Sequence, residues 1–389
     1  MSDNFDLATH YPWLPSSLIK YYNNLPEDPK EFISEIFSSS ISEEIGERTF
    51  EIFKAAFNNL ENVLYYKLDK LNVYMYLLIK ILLIVLNDKI LTNRVANLYS
   101  KINYYDLLEE NDYNIYHICN EELNLNVQYL PEGEVYGNKF YENNQQKFIT
   151  NFKIFFIDYL NLVANLRDEY RKLINNPLSN GFVFLKKKTL IRLLQEYVRN
   201  KIKEVEIKKI IKKDELLNIK GFKELLEKIS AAWKNRKDEI EYYEFDGTED
   251  ASVYPPCIQE IRSKAKEGQN LIHTERLLIL WFLLALNVPV EDTVKFFSTM
   301  PDFDQEKTTY QVNFAKRKGY KVYLCETLKS LDLCRANKDK EKICTEGYYS
   351  KTQEKQRKIS SPLQYVHVRQ HRNRRESKNK NYINTNTNK

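Results

Sequence analysis

Four cysteines stand in the last third of this 389-residue chain, at positions 257, 325, 334 and 344, with the spacing C-x67-C-x8-C-x9-C. Four thiolates are the ligand count of tetrahedral zinc and of iron–sulfur clusters alike. The intervals are wider than those of zinc knuckles and miss the tight runs of ferredoxins. One distant ligand plus three nearer ones means that the fold itself must close the site, so losing a ligand damages folding as well as chemistry. The plain alternative is a set of buried thiols, because free cysteine is among the most buried residue types. The fifth cysteine, Cys119, stands two residues after His117. With no second half of a site nearby, that pair reads as strand core plus surface.

Between Cys257 and Cys325 lies "NLIHTERLLILWFLLALNVPVEDTVKFFSTMPDFDQEKTTYQV" (270–312). His273 and Arg276 are three residues apart and share a face at the start of a very apolar helix. A helix start presents free N–H groups and the positive dipole end, which suits a triphosphate. The plain alternative is a charged pair at a surface helix end. Tyr310 offers a ring for a base, with a buried, satisfied tyrosine as its alternative. Lys307, Arg262 and the basic "KRK" at 316–318 are candidate phosphate contacts. Asp302-x-Asp304 has the look of a two-metal carboxylate pair. It follows Pro301 in a loop with no third carboxylate on a strand, so it reads as turn and capping residues.

The elements that must position these residues are mostly helical. From 30 to 100, apolar residues recur at helical spacing, with Pro26 and Pro29 before the first helix. From 100 to 145 the pattern weakens: "YNIYHIC" (113–119) and "NVQYL" (126–130) alternate as short strands, and "PEGEVYGNKF" (131–140) reads as a turn. Helices resume over 144–176. "GFVFL" (181–185) is a short strand, and 187–219 is an amphipathic helical stretch whose lysines form a solvated face. The charged, aperiodic stretch 234–252, with its Asp246-Gly247 turn signal, places a domain boundary.

Composition agrees. Leu, Glu and Lys, good helix formers, are abundant, and only nine glycines are present, which argues against glycine-rich phosphate loops. The run at 73–87 is interrupted by Lys80 and falls short of the ~20 residues of a membrane span, so it reads as a buried helix. The start, "MSDNFDLATHYPWLP", has no basic and apolar leader pattern. A cytoplasmic protein without membrane partners is expected. A reducing cytosol disfavours structural disulfides, so its clustered cysteines point to metal or redox chemistry. Residues 351–389 hold eleven Lys/Arg against two Glu, on a body that is otherwise slightly acidic. Such a tail either meets a polyanion or solvates the protein.

The block 253–366 resembles the C-terminal domain of the large subunit of archaeal and eukaryotic DNA primase. The residues carrying the resemblance are, in order, the PPC entry at 255–257, H-x-x-R at 273–276, the PDF segment at 301–303, Y-Q-V at 310–312, Cys325-x8-Cys334, and the closing "SPLQY" at 361–365. "HYPWLP" near the start and "GFVFLKKKTLIRLLQEYVRNKI" are similar, more loosely, to that family's helical domain. In this chain Ser361 stands where the family has His, and 345–360 is an insertion.

The resemblance implies a mainly α protein of two domains. A helical N-terminal domain with a small α/β subdomain (1–235) would dock the catalytic small subunit of the primase. A linker (236–252) would lead to the iron–sulfur domain (253–366), and a basic disordered tail (367–389) would follow. The resemblance further implies that Cys257, Cys325, Cys334 and Cys344 hold a [4Fe–4S] cluster. It assigns His273, Arg276 and Tyr310 to the initiating nucleotide and the template, with Y-Q-V in a strand or loop; Lys307 and Arg262 join them as phosphate contacts. The expected role is non-catalytic: binding single-stranded DNA template, initiating NTP and RNA or DNA primer during de novo primer synthesis in replication, at the nucleoid. The other reading is a metal-stabilised nucleic-acid-binding protein with no primase partner.

Overall fold

The computed structural model describes residues 7–17, 28–58, 71–141, 144–164, 166, 169–204, 212–239, 253–336, 341–350 and 354–373. Its contacts divide the chain into two units, residues 1–239 and 240–389. Both are mainly helical.

The first unit begins with the expected helices. Helix α1 (Pro29–Ser38) opens on Asp28, whose carboxylate accepts from the Lys30 amide, with Pro29 at its first position. Next come α2 (Ser42–Phe57), α3 (Leu71–Leu86) and α4 (Lys89–Glu109). The apolar run forms α3, with nine of its sixteen residues buried. Among the described residues no helix is long and apolar enough to cross a membrane.

Beyond residue 110 the structure corrects three expectations. Residues 113–119 are helical: α5 (Asp112–His117) is capped by Asn111, whose side chain accepts from the Asn114 amide at 2.8 Å, and a π turn (Ile118–Glu122) continues it. A good N-cap outweighs the strand preference of a short alternating run. Residues 131–140 are no isolated turn but part of β1 (Val127–Tyr141), which is antiparallel to β2 (Asn144–Phe155) with register shifts after Tyr129 and Val135. Where helix is expected at 144–155, Thr150, Phe152 and Ile154 are buried in strict alternation, the period of a strand. Only α6 (Phe156–Val163) restores helix there.

The expected strand at 181–185 is β4 (Phe182–Leu185), paired with β2 and with the short β3 (Leu178–Ser179) in the order β1-β2-β4-β3. Helix α7 (Lys187–Lys203) follows and packs along α4. A buried polar group crosses their seam: Arg199 donates to Glu196 at 2.8 Å and to Asn97 Oδ1 at 3.0 Å. Trp13, from "HYPWLP", donates its indole N–H to Asn103 at 2.6 Å and so ties the start of the chain to α4. Helix α8 (Lys220–Glu239) runs through 236–239, the first residues of the expected linker. The rest of that linker, with Asp246-Gly247, lies outside the described residues, as does 205–211 of the amphipathic stretch.

The second unit is built from α9 (Pro256–Lys266), α10 (His273–Ala285), α11 (Val290–Phe296), α12 (Gln305–Lys318), α13 (Cys325–Ser330), α14 (Lys342–Thr345), the hairpin β5 (Tyr348–Ser350) and β6 (Lys355–Arg357), and a last helix, α15, over 362–373. Its main core gathers Ile258, Leu278, Phe282, Phe296, Met300 and Val366. Burying a ring such as Phe282, fully enclosed and edge-on to Tyr254, contributes about 2–3 kcal/mol. A smaller, separate core holds Ile343, Ile359 and Tyr365. The insertion at 345–360 contains the β5–β6 hairpin. Gly347 enters it at φ 84°, and a Cβ there would stand 2.0 Å from the Arg357 carbonyl oxygen, so only glycine fits. The first part of the expected disordered tail, 367–373, is helix. It continues α15 because Tyr365 and Val366 are buried and Val368 packs on the small core. Residues 374–389 lie outside the described ones.

Candidate functional site

Cys257, Cys325, Cys334 and Cys344 line one cavity, of about 40 Å³. Each arrives on a different piece of chain. Pro255 and Pro256 start α9 and put Cys257 in its first turn, where it is buried. Cys325 begins α13, its amide donating to the Ser360 carbonyl at 2.8 Å. The Cys334 amide donates to the Leu328 carbonyl at 3.1 Å, and Cys344 lies in α14. Ser361, Pro362 and Tyr365 of the closing motif complete the wall with Leu328 and Ile359. Cys257 belongs to the main core and Cys334 packs on it, whereas Cys325 and Cys344 pack on the small one. The cavity therefore sits at the junction of the two cores, with the four cysteines around it.

The thiols influence one another. Burial first, and then the charges of the other three, push Cys257 well above a free thiol. Cys344 is pushed up to about 12 by burial and by Cys325, Glu341 and Cys334. Burial and Cys334 raise Cys325, with Lys329 opposing. Thiols raised in this way become thiolates when a cation shares their cavity, and such binding would release protons. Soft sulfur donors of this number fit zinc and iron–sulfur groups. Among the described residues, no three His, Cys, Asp or Glu side chains gather around a point that would hold a single metal ion. The thiols wall a space instead.

Arg335, also in the cavity wall, is a residue that no sequence motif singles out. Its guanidinium donates to the carbonyls of Asp332 (2.8 Å) and Cys334 (3.2 Å) and to the Glu260 carboxylate. Glu260 also takes Lys264 at 3.1 Å, and Lys264 reaches Glu275 at 2.6 Å. Burial opposes ionisation of Glu260, but the hydrogen bonds from Arg335 and Lys264 hold its carboxyl below the usual value. Glu275 is 3% exposed, and its other oxygen accepts from the Ile272 amide at 3.1 Å. That last bond is the N3-to-N-cap half of a capping box; Ile272 has no side-chain acceptor for the other half. A continuous polar chain thus leads from the Cys334 carbonyl to the first turn of α10.

That turn carries His273 and Arg276. His273 is the first residue of α10 and is exposed. Arg276 is held on three sides. Its Nε donates to the Leu271 carbonyl at 2.9 Å, and its Nη2 donates to Asn270 Oδ1 and to both Asp302 oxygens at 2.8 Å. Its Nη1 has no hydrogen-bond partner among the described residues, so an oriented donor is left over. Asp302 is therefore the anchor of Arg276 and not a capping residue. Asp304 does cap, accepting from the Lys307 amide at 2.9 Å at the start of α12, and its carboxylate also takes the Lys307 ammonium at 3.0 Å.

Tyr310 lies in α12, so Y-Q-V is helical and not a strand or loop. It is exposed, and its ring stacks at 6.3 Å on Phe314 one turn later. Arg262 lies on α9 with its guanidinium 5.3 Å from the centre of the Tyr254 ring, a cation–π contact. Lys316, Arg317 and Lys318 form the last turn of α12, where cations meet the negative dipole end. Cys119 is fully buried in the first unit, which pushes its thiol up to about 12.

Comparison with known proteins gives these features a relative. Residues 247–382 match the family described as the C-terminal domain of the large subunit of eukaryotic and archaeal DNA primase. The DNA primase large subunit PriL of Methanococcoides burtonii is 32% identical over 223 residues, 54% of this chain and 58% of that one. PriL of Archaeoglobus fulgidus is 28% identical over 195 residues (49% of each), and PriL of Methanopyrus kandleri 30% over 188 (46% of this chain, 43% of the relative). The chain spans about half the length of the curated relatives it matches.

Proposed function

We propose that this chain, whose residues 247–382 match the C-terminal domain of the large subunit of eukaryotic and archaeal DNA primase, works as the non-catalytic large subunit of such a primase. The observation that carries this reading is the coincidence of that match with the oriented first turn of α10. His273 stands exposed at a helix N-terminus, beside an arginine that Asp302 fixes and whose Nη1 is left over. Starting a primer means holding a triphosphate and a template with no primer to anchor them, so the gain comes from positioning. The N–H groups and dipole of α10, with His273 and Arg276, hold the phosphates. Tyr310 offers its face to a base, and Lys307 and Arg262 lie nearby in sequence as further cations.

The cysteine cavity belongs to the same reading. A wall of four thiols has the ligand count of a [4Fe–4S] cluster, which Cys257, Cys325, Cys334 and Cys344 would hold. When bound, the cluster would supply four metal–sulfur bonds across the junction of the two cores. Arg335, Glu260, Lys264 and Glu275 would carry that rigidity to the first turn of α10. The first unit would dock the catalytic small subunit. Its exposed apolar side chains, among them Tyr170 and Ile174 at 83% and 89% exposure, suit a protein partner.

The test is reconstitution with the catalytic small subunit on a single-stranded template. Changing His273→Ala and Arg276→Lys together should cut de novo initiation by at least about 100-fold, the scale of a lost positioning constellation. Extension of a supplied primer should persist. Undiminished initiation by that variant rejects the site, and failure of the small subunit to bind the chain rejects the reading as a whole.

A further inference from the structure

Helix α15 carries a pair of side chains that the proposed function does not use. Pro362, Tyr365 and Val366 are buried there and Arg369 is half-buried. At about 100° per residue these four share one face of the helix. His367 and His371, four positions apart, lie together on the opposite face, and both are exposed. No hydrogen bond or ion pair engages either imidazole among the described residues. Side chains four apart on a helix have Cβ atoms about 5–6 Å from each other, so two imidazoles at that spacing reach one cation. The same spacing holds zinc in the His-Glu-x-x-His helix. Here the run reads His-Val-Arg-Gln-His, with no glutamate to serve as a base, so the pair offers binding without hydrolysis.

The helix is fixed before any metal arrives. Tyr365 belongs to the small core with Ile343 and Ile359, Val368 packs on it, and Val366 joins the main core. At the start of the helix, the Ser361 hydroxyl accepts from the Gln364 amide at 3.2 Å. In the last turn, Arg372 donates to the Gly347 carbonyl at 3.4 Å and ties the helix to the hairpin. Binding would therefore order only two side chains on a rigid element.

The surroundings choose the ion. Residues 355–373 contain no Asp or Glu, and the neighbours Arg369 and Arg372 are cations. Calcium and magnesium need oxygen ligands, which this face does not supply. Neutral imidazole suits zinc, nickel and copper. Among the described residues no third His, Cys, Asp or Glu completes a ligand set, so water would fill the other positions.

We propose that His367 and His371 form a bidentate site for one divalent ion of the zinc, nickel and copper class on the outer face of α15. The ion bridges two successive turns and stiffens the helix whose Pro362 and Tyr365 wall the cysteine cavity. The site is separate from the four cysteines and does not rest on the primase reading.

The test is calorimetric titration of the full chain, purified without oxygen, with nickel chloride. Wild type should take one Ni²⁺ at the pair. His367→Gln and His371→Gln should each weaken that binding by at least about 10-fold, since even the loss of an outer-shell partner costs a metal site 10- to 100-fold. A swap variant, His371→Arg with Arg372→His, keeps composition and charge but turns the second imidazole about 100° around the helix. It should bind as weakly as His371→Gln. His117→Gln, in the first unit, should bind as wild type does. Nickel held at the cysteines would be common to all these proteins and cancels in the differences. Amide hydrogen exchange read by mass spectrometry supplies the second measurement: Ni²⁺ should slow exchange over 362–373 in wild type and leave it unchanged in the swap variant. Equal nickel binding by wild type and by a swap variant with native circular dichroism overturns the site. Nickel binding that leaves exchange over 362–373 unaltered in wild type overturns the stiffening.

Discussion

The five cysteines of the chain divide between its two units, and their surroundings differ. In the first unit Cys119 is one more buried apolar group beside Ile115 and Ile118. That unit is closed by packing and by buried hydrogen bonds such as those of Arg199 to Asn97 and Glu196. In the second unit four cysteines line one cavity between two separate apolar cores. Among the described residues the small core has three buried members, few to hold a hairpin and a helix in place by burial alone. A thiol in a core is replaceable by anything of its size. Under the proposed cluster, a thiol at the junction would be replaceable only by another ligand.

The sharpest break between the two follows from substituting one cysteine in each. Cys344→Ser should remove the metal from the protein and destabilise the second unit by several kcal/mol, as loss of a structural metal does. Chemical denaturation followed by Trp281 emission, in a background with Trp13→Phe and Trp233→Phe, should show it. Cys119→Ala should cost about 1–2 kcal/mol as a small core truncation and leave metal content unchanged. Equal effects of the two would erase the distinction between a core thiol and a ligand thiol.

A smaller effect tests the polar chain leading to α10. Glu275→Ala removes a buried carboxylate that serves both Lys264 and the Ile272 amide. Breaking a buried pair costs about 3–5 kcal/mol, but Glu260 still takes Lys264, so about 2–3 kcal/mol is expected. Thermal unfolding of the second unit reports it, and a first unit that unfolds as before keeps the comparison intact.

The smallest effect belongs to the first unit. Burial, then the Glu110 charge, raise Asp106 to about 6. A carboxyl raised above its unfolded value of 3.8 contributes stability that is full below that value and is lost as pH rises through about 6. Asp106→Asn should therefore be more stable than wild type at pH 7 by about 1 kcal/mol, and the gap should close towards pH 4. With the proposed cluster bound, the second unit should respond to acid in the opposite sense, because protons would compete with metal for the thiols.

What is legible in the sequence follows the same division. Long apolar helices are plain, as in α3 and α10, and the short β4 is plain from its Phe-Val-Phe-Leu run. The four cysteines that line one cavity, and the pair in the first turn of α10, are picked out in the sequence by residue type and order. Short signals are lost where a neighbour outweighs them. Asn111 turns an alternating run into a helix, and the period of Thr150, Phe152 and Ile154 is hidden inside a long apolar stretch. Helix α12 is marked by Asp304 at its start and Lys-Arg-Lys-Gly at its end, signals that outrank the expectation for Y-Q-V. The Asp302 anchor of Arg276 and the partnership of Arg335 with Glu260 join residues 26 and 75 positions apart, and no local pattern announces such pairs.

The central claim is that the four cysteines of the second unit hold an iron–sulfur cluster that closes it. The most direct measurement is metal analysis with visible absorption on the chain purified without oxygen. About four irons per chain and a broad band near ~400 nm are predicted, both lost in Cys344→Ser and both kept in Cys119→Ala. One zinc per chain with no iron, or no metal at all in a folded second unit, would contradict it.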